Sequence, residues 1–332
     1  MDTTLFLTGG TGFIGSHVAR EFVSHGWRVR ALVRQPSRAG LLPSAVDVVP
    51  GDLREPRCLS RISERLCRRA PLRRRDPGRS LEEYRRVNVE GTSAIAKTAA
   101  VACPEAMFVH VSSQAAAGPS RDGVPVQETD APEPVSWYGR SKLEGEHAVA
   151  RHHPGPWCIV RPSIVYGAGD PGLLQMFSVV ARGVAPIPAG GRQRVQLLAA
   201  EDLAPILFAA AQRPDLHGRR GFAAGETVSM GDLVREIAAL RTPPARTVRV
   251  PGSAVRFLGL VESMRGALTR STPAFNRDKA REMLQADWLC DGEPFRRDLR
   301  IAAAIRWRDG LRRACRWYVD ARWLAPQRFA SV

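Results

Sequence analysis

The chain begins with a glycine-rich turn between a short apolar run and a helical pattern. Residues 4–7 are β-prone, and Gly9, Gly12 and Gly15 follow at three-residue spacing. In such a turn the first glycine permits the tight bend, the second lets the backbone approach a pyrophosphate, and the third allows close packing of helix on strand. The N–H groups at the helix N-terminus then bind the phosphates. We therefore predict a dinucleotide site here, with further contacts from Thr11, Phe13 and Ile14.

Apolar runs alternate with helical patterns along the first half of the chain. This alternation favours an α/β fold, a doubly wound parallel sheet of the Rossmann type with helices on both faces. After Pro162 the chain becomes rich in proline and glycine. We predict an NAD(P)-binding Rossmann domain over residues 1–160 and a smaller, mixed α/β substrate-binding region with a C-terminal helix over residues 161–332. Predicted strands are 28–33, 46–49, 107–111 and 157–160, and predicted helices are 16–25, 88–102, 136–150 and 230–240.

Net charge is the unusual feature of the composition. The chain has 49 Lys and Arg against 33 Asp and Glu, a formal charge of +16. Twelve arginines and five acidic residues lie between Arg54 and Arg86, so a charge of +7 is concentrated there. The charge favours anionic partners, but it does not distinguish nucleic acid, lipid and phosphorylated small molecules. A hydrophobic content of 44% excludes a mainly disordered chain.

The cysteine pattern and the lengths of the apolar runs bear on the cellular location of the protein. The six cysteines form no CxxC pair and no zinc-ligand spacing, and the N-terminus does not read as a signal peptide. We predict reduced thiols, a cytoplasmic location and no metal site, since His152 and His153 look like a helix-end loop. No apolar run approaches the roughly 18 residues of a spanning helix. We predict no transmembrane segment.

A basic amphipathic pattern over residues 309–324 has two interpretations. The helix lies on an anionic membrane, or it docks on the domain with its arginines in solvent. We favour docking, which is the more common use of such a helix and of the aromatics Trp307, Trp317 and Trp323. Peripheral contact with an anionic surface and formation of a homodimer both stay open.

Residues after the second and third strands bear on the choice of nucleotide. An acid usually follows the second strand when the adenosine ribose has free hydroxyls. This chain has Arg34 there, and a guanidinium favours a 2′-phosphate. We therefore predict NADP as cofactor in preference to NAD, although NAD is not excluded. Asp52 is either an acceptor for the adenine amino group, with Leu53 packing on the ring, or a turn carboxylate.

Tyr138 and Lys142 lie four residues apart, hence on one face of the helix predicted from Ser136. A phenol titrates near ~10, and an adjacent cation favours the phenolate, which suits proton transfer near neutral pH. The pair alone is a weak signal, because it also occurs on solvated helices. The strand before it ends in Ser112 and Ser113, which adds a hydroxyl to the predicted catalytic group.

Together these motifs resemble the extended short-chain dehydrogenase/reductases, the epimerase/dehydratase family. The resemblance implies that Ser113 orients the substrate oxygen, Tyr138 transfers the proton and Lys142 also holds the nicotinamide ribose. It implies that Pro162 and Ile164 line the nicotinamide, and that Asn88 supports the cofactor region. The matching segments, in the family's order, are Thr8 to Gly15, Asp52-Leu53, Asn88 to Thr92, Ser112-Ser113, Tyr138 to Lys142, Arg161-Pro162, Val165 to Gly167 and Asp202 to Ala204.

One segment departs from the family. Where the family has a buried strand, residues 64–75 contain six arginines and Pro71, and buried unpaired arginines are costly. One hypothesis is a compensated frameshift over residues 57–75, since permitted codons for Arg65 to Arg74, read one base later, encode Gly-Cys-Ala-Val-Val-His-Leu-Ser-Ala. The rival is a surface loop that binds an anion or nucleic acid, although it lacks interleaved aromatics, and we predict no specific nucleic-acid partner. If the printed segment is native, we expect a weakened sheet and impaired cofactor binding.

The sequence leaves three functions open. The first is an NADP(H)-preferring oxidoreductase acting on a secondary alcohol or ketone of a small-molecule substrate. The second is a nucleotide-sugar epimerase or dehydratase that retains NAD, for which Arg194 lies near a diphosphate-binding position. The third is a non-catalytic subunit that binds NADP(H) or an anion. We favour the first and expect an enzyme.

Overall fold

The computed structural model describes residues 3–52, 80–269, 275–302 and 305–329. Its strands are β1 (Thr4–Thr8), β2 (Arg28–Val33), β3 (Val46–Pro50), β4 (Phe108–Val111), β5 (Trp157–Pro162), β6 (Ile164–Tyr166), β7 (Val184–Pro188), β8 (Arg194–Ala199), β9 (Arg219–Ala223), β10 (Glu226–Ser229), β11 (Arg246–Val250) and β12 (Asp287–Trp288). Its helices are α1 (Phe13–Ser24), α2 (Leu81–Arg85), α3 (Gly91–Ala102), α4 (Gln114–Ala117), α5 (Trp137–His152), α6 (Pro171–Val180), α7 (Ala200–Ala211), α8 (Met230–Ala239), α9 (Gly252–Thr269), α10 (Arg277–Met283), α11 (Glu293–Leu299) and α12 (Trp307–Asp320).

Two groups of three parallel strands form the first half of the fold. One group has the order β1-β2-β3 and the other β4-β5-β9. Leu7 of β1 and Val109 of β4 lie in one apolar core, while Phe6 and Phe108 lie in another. Because alternate side chains of a strand point to opposite faces, both groups belong to one layer with a core on each side. The structure thus confirms the α/β fold with parallel strands.

Helices cover both faces of this layer. On one face, side chains of α1, α7 and α11 share a core with the strands, among them Phe22, Leu203 and Phe295. On the other face, Ile95 of α3 and Val149 of α5 pack on the strands. This is the doubly wound arrangement that the alternation of strands and helices predicts.

The second half is built around a different core. β8 pairs with β10, β12 and β6, and β7 pairs with β11. Side chains of α6, α8 and α12 pack on these strands. The domain boundary near residue 160 stays a prediction. Strand β9 lies beyond it in sequence but pairs with β5 of the first half.

The C-terminal helix α12 is docked, as we favoured from its pattern. Its apolar face, which includes Leu311, Ala314, Cys315 and Tyr318, is buried in the second core. The Tyr318 hydroxyl donates to the carbonyl oxygens of Gly167 and Asp170, at 3.1 and 2.7 Å.

Some predictions fall outside the described residues. These are the Leu53 contact with adenine and the questions about the arginine-rich segment 57–75. Among the residues that the structure does describe, no helix has the length and apolarity to cross a membrane. The cytoplasmic location and the homodimer stay predictions.

Candidate active site

The glycine turn has the close contacts that its sequence predicts. Gly9 has φ +71°, and its carbonyl oxygen accepts from the Gly12 N–H at 2.9 Å. A Cβ on Gly15 would lie 2.1 Å from the Gly9 oxygen, so only glycine permits this approach of α1 to β1. Gly12 occupies the N-cap of α1 and has no side chain to accept from the first-turn N–H groups. The turn therefore fits a bound pyrophosphate.

Arg34 and Asp52 lie at the same edge of the sheet as this turn. Arg34 directly follows β2 and is exposed, and Asp52 follows β3 and is half-buried. β1, β2 and β3 are parallel and in register, with Thr8 opposite Leu32 and Val33 opposite Pro50. Their carboxyl ends therefore meet at one edge, which is where doubly wound sheets bind their ligands.

The Tyr138 and Lys142 side chains lie at the start of α5. Ser136 is the N-cap and accepts from the Gly139 N–H at 3.1 Å, so the helix begins just before the tyrosine. Tyr138 is half-buried, with its ring 5.7 Å from that of Tyr84. Lys142 is buried, and its Nζ donates to the Val111 carbonyl oxygen at 2.7 Å. The ammonium is therefore held at the carboxyl end of β4.

Ser113 lies two residues beyond this carbonyl. It is the N-cap of the short helix α4, and its Oγ accepts from the Ala115 N–H at 3.2 Å. α4 and α5 touch through Gly139, where a Cβ would lie 2.1 Å from the Ala115 oxygen. The serine therefore lies on a helix packed directly against the start of α5.

Asn88 braces α5 from its other side. Its side-chain amide donates to Ser141 Oγ at 2.8 Å, and a Cβ on Gly145 would lie 2.6 Å from its backbone oxygen. The sequence predicts an α-helix over residues 88–102, whereas the backbone is helical from Leu81 to Ala102 with a π-helical turn at residues 86–90. Asn88, which contacts α5, lies within this π-helical turn, and single turns of this kind occur mostly inside α-helices.

Sequence reasoning missed a buried ion pair behind these residues. Arg161 Nη2 lies 2.7 Å from Glu146 Oε2, and the two side chains are 3% and 0% exposed. Ser112 Oγ donates to Glu146 Oε1 at 2.5 Å. The pair thus joins α5, β5 and the end of β4. Arg161 inside an apolar strand was the available signal, since a buried charge needs a partner.

Pro162 and Ile164 follow this arginine. Pro162 ends β5 and is buried, whereas Ile164 begins β6 and is exposed. The two residues therefore lie where β5 leaves the first sheet and β6 joins β8 of the second.

Arg194 is held by a carboxylate. Its Nε and Nη2 donate to the two oxygens of Asp287 at 3.0 and 2.7 Å. The hydrogen bond with Arg194 lowers the pKa of Asp287 below its ordinary value. A diphosphate at this arginine would have to compete with a bidentate pair.

Comparison with known proteins decides the family. Residues 5–225 match the model of the NAD dependent epimerase/dehydratase family. The chain belongs to this family. It is 31% identical to a ceramide reductase of Caulobacter vibrioides, with 96% of this chain and 95% of that one covered. It is 27% identical to a UDP-glucose 4-epimerase of Vibrio cholerae, over 76% and 80%. The crystal structure of gox2253 is similar in fold, with TM-score 0.77 and 25% identity over 97% of this chain and 99% of that one.

Membership confirms the resemblance read from the motifs. The protein is an enzyme, an NAD(P)-dependent oxidoreductase of the epimerase/dehydratase family. This finding counts against the non-catalytic subunit.

Proposed function

We propose that the protein is an NADP(H)-preferring reductase that interconverts a ketone and a secondary alcohol, with Tyr138 as the acid/base. The observation that most directly supports this proposal is the position of Lys142. Its ammonium donates to the Val111 carbonyl oxygen and lies one helical turn from Tyr138. It is fixed at the strand end that leads into Ser113. The cation of Lys142, the phenol of Tyr138 and the hydroxyl of Ser113 thus belong to elements that pack on one another. This packing supports the proposal that the site is preorganised.

Each of these residues has a distinct task. Tyr138 donates a proton to the carbonyl oxygen during reduction and takes it back during oxidation. Lys142 stabilises the negative charge on the phenolate, and Ser113 donates a hydrogen bond that orients the substrate oxygen. The nicotinamide, when bound, supplies the hydride. The residues that hold the cofactor are Gly9, Thr11, Gly12, Phe13, Ile14, Arg34, Asp52, Leu53, Tyr138, Lys142, Pro162 and Ile164.

Two observations support a lipid ketone as substrate. The similarity to the ceramide reductase extends over nearly the whole of both chains. Arg194, the residue nearest to a diphosphate-binding position, is held by Asp287. The second observation weighs against a nucleotide sugar, which is the substrate class of the rival epimerase.

The test is turnover of a keto-ceramide, followed by NADPH oxidation. We expect Tyr138→Phe to lower kcat by about 100-fold or more, because the acid is lost, while the Kd for NADPH rises much less, because the ring and the other cofactor contacts remain. Tyr84→Phe is the matched control, since it removes a hydroxyl from the neighbouring ring, and it should keep wild-type kcat. Equal kcat in Tyr138→Phe and wild type would refute the assignment. NAD retained through purification, with epimerisation of UDP-glucose, would establish the rival function.

A further inference from the structure

Helix α9 (Gly252–Thr269) has an apolar stripe that faces solvent. Phe257, Leu260, Val261 and Met264 follow the i, i+3, i+4, i+7 spacing that normally faces a core. Here all four are exposed, Phe257 by 68% and Met264 by 58%. A contiguous exposed apolar face of this kind marks an interaction site.

The opposite side of α9 is the side packed on the protein. Val255 is buried, and a Cβ on Gly259 would lie 2.8 Å from Ala280 of α10. Ser263 Oγ accepts from the Arg277 N–H at 2.9 Å. The side of α9 that carries Gly259 and Ser263 therefore packs on α10, and the apolar stripe lies on the other, exposed side.

Positive charge predominates in the segment that contains the stripe. Residues 244–269 contain four arginines and a single acid, Glu262, which pairs with Arg265 at 3.4 Å. Arg246 and Arg249, on β11, and Arg256, on α9, are also exposed. An apolar face with a basic border is complementary to a bilayer with anionic headgroups. A second copy of the same surface would bring like charges together.

The surface also lies close to the candidate active site. α9 packs on α10, and both carboxylate oxygens of Asp278 in α10 lie 3.1 Å from the backbone nitrogen of Trp137. Trp137 directly precedes Tyr138. Only one helix layer therefore separates the apolar stripe from the start of the catalytic helix.

We propose that α9 and β11 form a docking surface for anionic lipid bilayers. The apolar stripe enters the headgroup boundary, and Arg249 and Arg256 contact lipid phosphates. The inference rests on exposure, packing and charge, and it stands independently of the substrate proposed above. Docking through this surface would hold the catalytic helix beside the bilayer.

The test is co-sedimentation of the full chain with phosphatidylcholine vesicles, with and without phosphatidylglycerol. We expect binding to the anionic vesicles and about tenfold weaker binding of Phe257→Ser/Met264→Ser, which keeps the net charge. Val101→Ser/Val124→Ser is the matched control, because these valines are 82% and 63% exposed elsewhere, and it should bind like wild type. NADPH binding and thermal melting identify any misfolded variant.

Two charge-reversal variants distinguish attraction of the bilayer to this surface from attraction to the net charge of the whole protein. Arg249→Glu/Arg256→Glu should bind anionic vesicles about tenfold more weakly, while Arg20→Glu/Arg151→Glu, with the same change in net charge, should bind nearly as wild type. Wild-type binding by Phe257→Ser/Met264→Ser would overturn the proposal, because charge alone would then suffice. A wild-type dimer that this variant converts to monomer would also overturn it, since a second copy would then cover the face.

Discussion

Arg34 is the residue on which the proposed preference for NADP depends. It follows β2 at the binding edge of the sheet and its side chain is exposed. A guanidinium there forms charge-assisted hydrogen bonds with a 2′-phosphate, which NADH lacks.

We therefore expect Arg34→Ala to raise the Kd for NADPH by about tenfold or more and to leave the Kd for NADH nearly unchanged. Fluorescence titration with both nucleotides measures this. Arg28→Ala removes the same charge from the other end of β2 and should change neither value. Equal loss of NADPH and NADH binding in Arg34→Ala would contradict a role in nucleotide choice.

Glu146 allows a second prediction at the residue scale. Its carboxylate is buried between Arg161 and Ser112, so Glu146→Gln leaves a buried guanidinium without its counter-charge. We expect the free energy of unfolding to fall by about 3 kcal/mol. Urea denaturation measures the change. Glu144→Gln, on the same helix but in a more exposed pair with Arg85, is the control and should have a much smaller effect. Equal effects of the two variants would show that burial of the pair does not matter.

At the scale of elements, the packing of α1 on β1 is the feature that shapes the turn. Gly15→Ala places a methyl group against backbone atoms of Gly9 and Gly10, which cannot move aside as a side chain can. We expect α1 to shift and the Kd for NADPH to rise by about tenfold or more, since the phosphate contacts depend on this turn. Gly40→Ala, with open space around its Cβ, should bind NADPH as wild type does. Unchanged binding in Gly15→Ala would rule out the pyrophosphate at this turn.

Element boundaries show where sequence patterns are sufficient. β2 has the predicted bounds, and α5 begins one residue after its predicted start because Ser136 acts as the cap. The helix predicted from Asn88 in fact begins at Leu81, where Ser80 is the cap, and it contains a π-helical turn at residues 86–90. Spacing and caps depend on neighbouring residues and can be predicted from them, whereas the contact between α5 and Asn88 depends on residues far apart in the sequence.

At the scale of the whole molecule, burial of His153 couples stability to pH. Burial lowers the pKa of His153 below its ordinary value of 6.5, and its Nε2 lies 3.2 Å from the Ala106 oxygen. As pH falls through that ordinary value, the unfolded chain binds a proton that the folded chain does not. Stability from this group is therefore present above the ordinary value and is lost in acid.

We expect the melting temperature of the wild type to fall more between pH 7.5 and 5.5 than that of His153→Gln, by roughly 2 °C. Differential scanning fluorimetry across this range measures it. His147→Gln changes an exposed histidine of α5, the helix that ends just before His153, and it should melt with the wild-type pH dependence. A parallel pH profile for His153→Gln and wild type would exclude His153 as the coupling group.

The sequence by itself determined the fold class and the family, and it predicted the residues of the candidate site. The glycine turn and the Tyr138–Lys142 pair each lie within a few residues, so spacing along one turn or one helix is enough to define them. Alternation of strands and helices likewise determines a parallel α/β layer.

Only the tertiary structure decided which distant residues meet. Glu146 and Arg161 are 15 residues apart and Arg194 and Asp287 are 93 apart, and both pairs form between different elements. The stripe on α9 has the spacing of a core-facing helix, yet it faces solvent because α10 packs on the other side. A periodic pattern shows that a helix has two faces, but the neighbouring elements decide which face is buried.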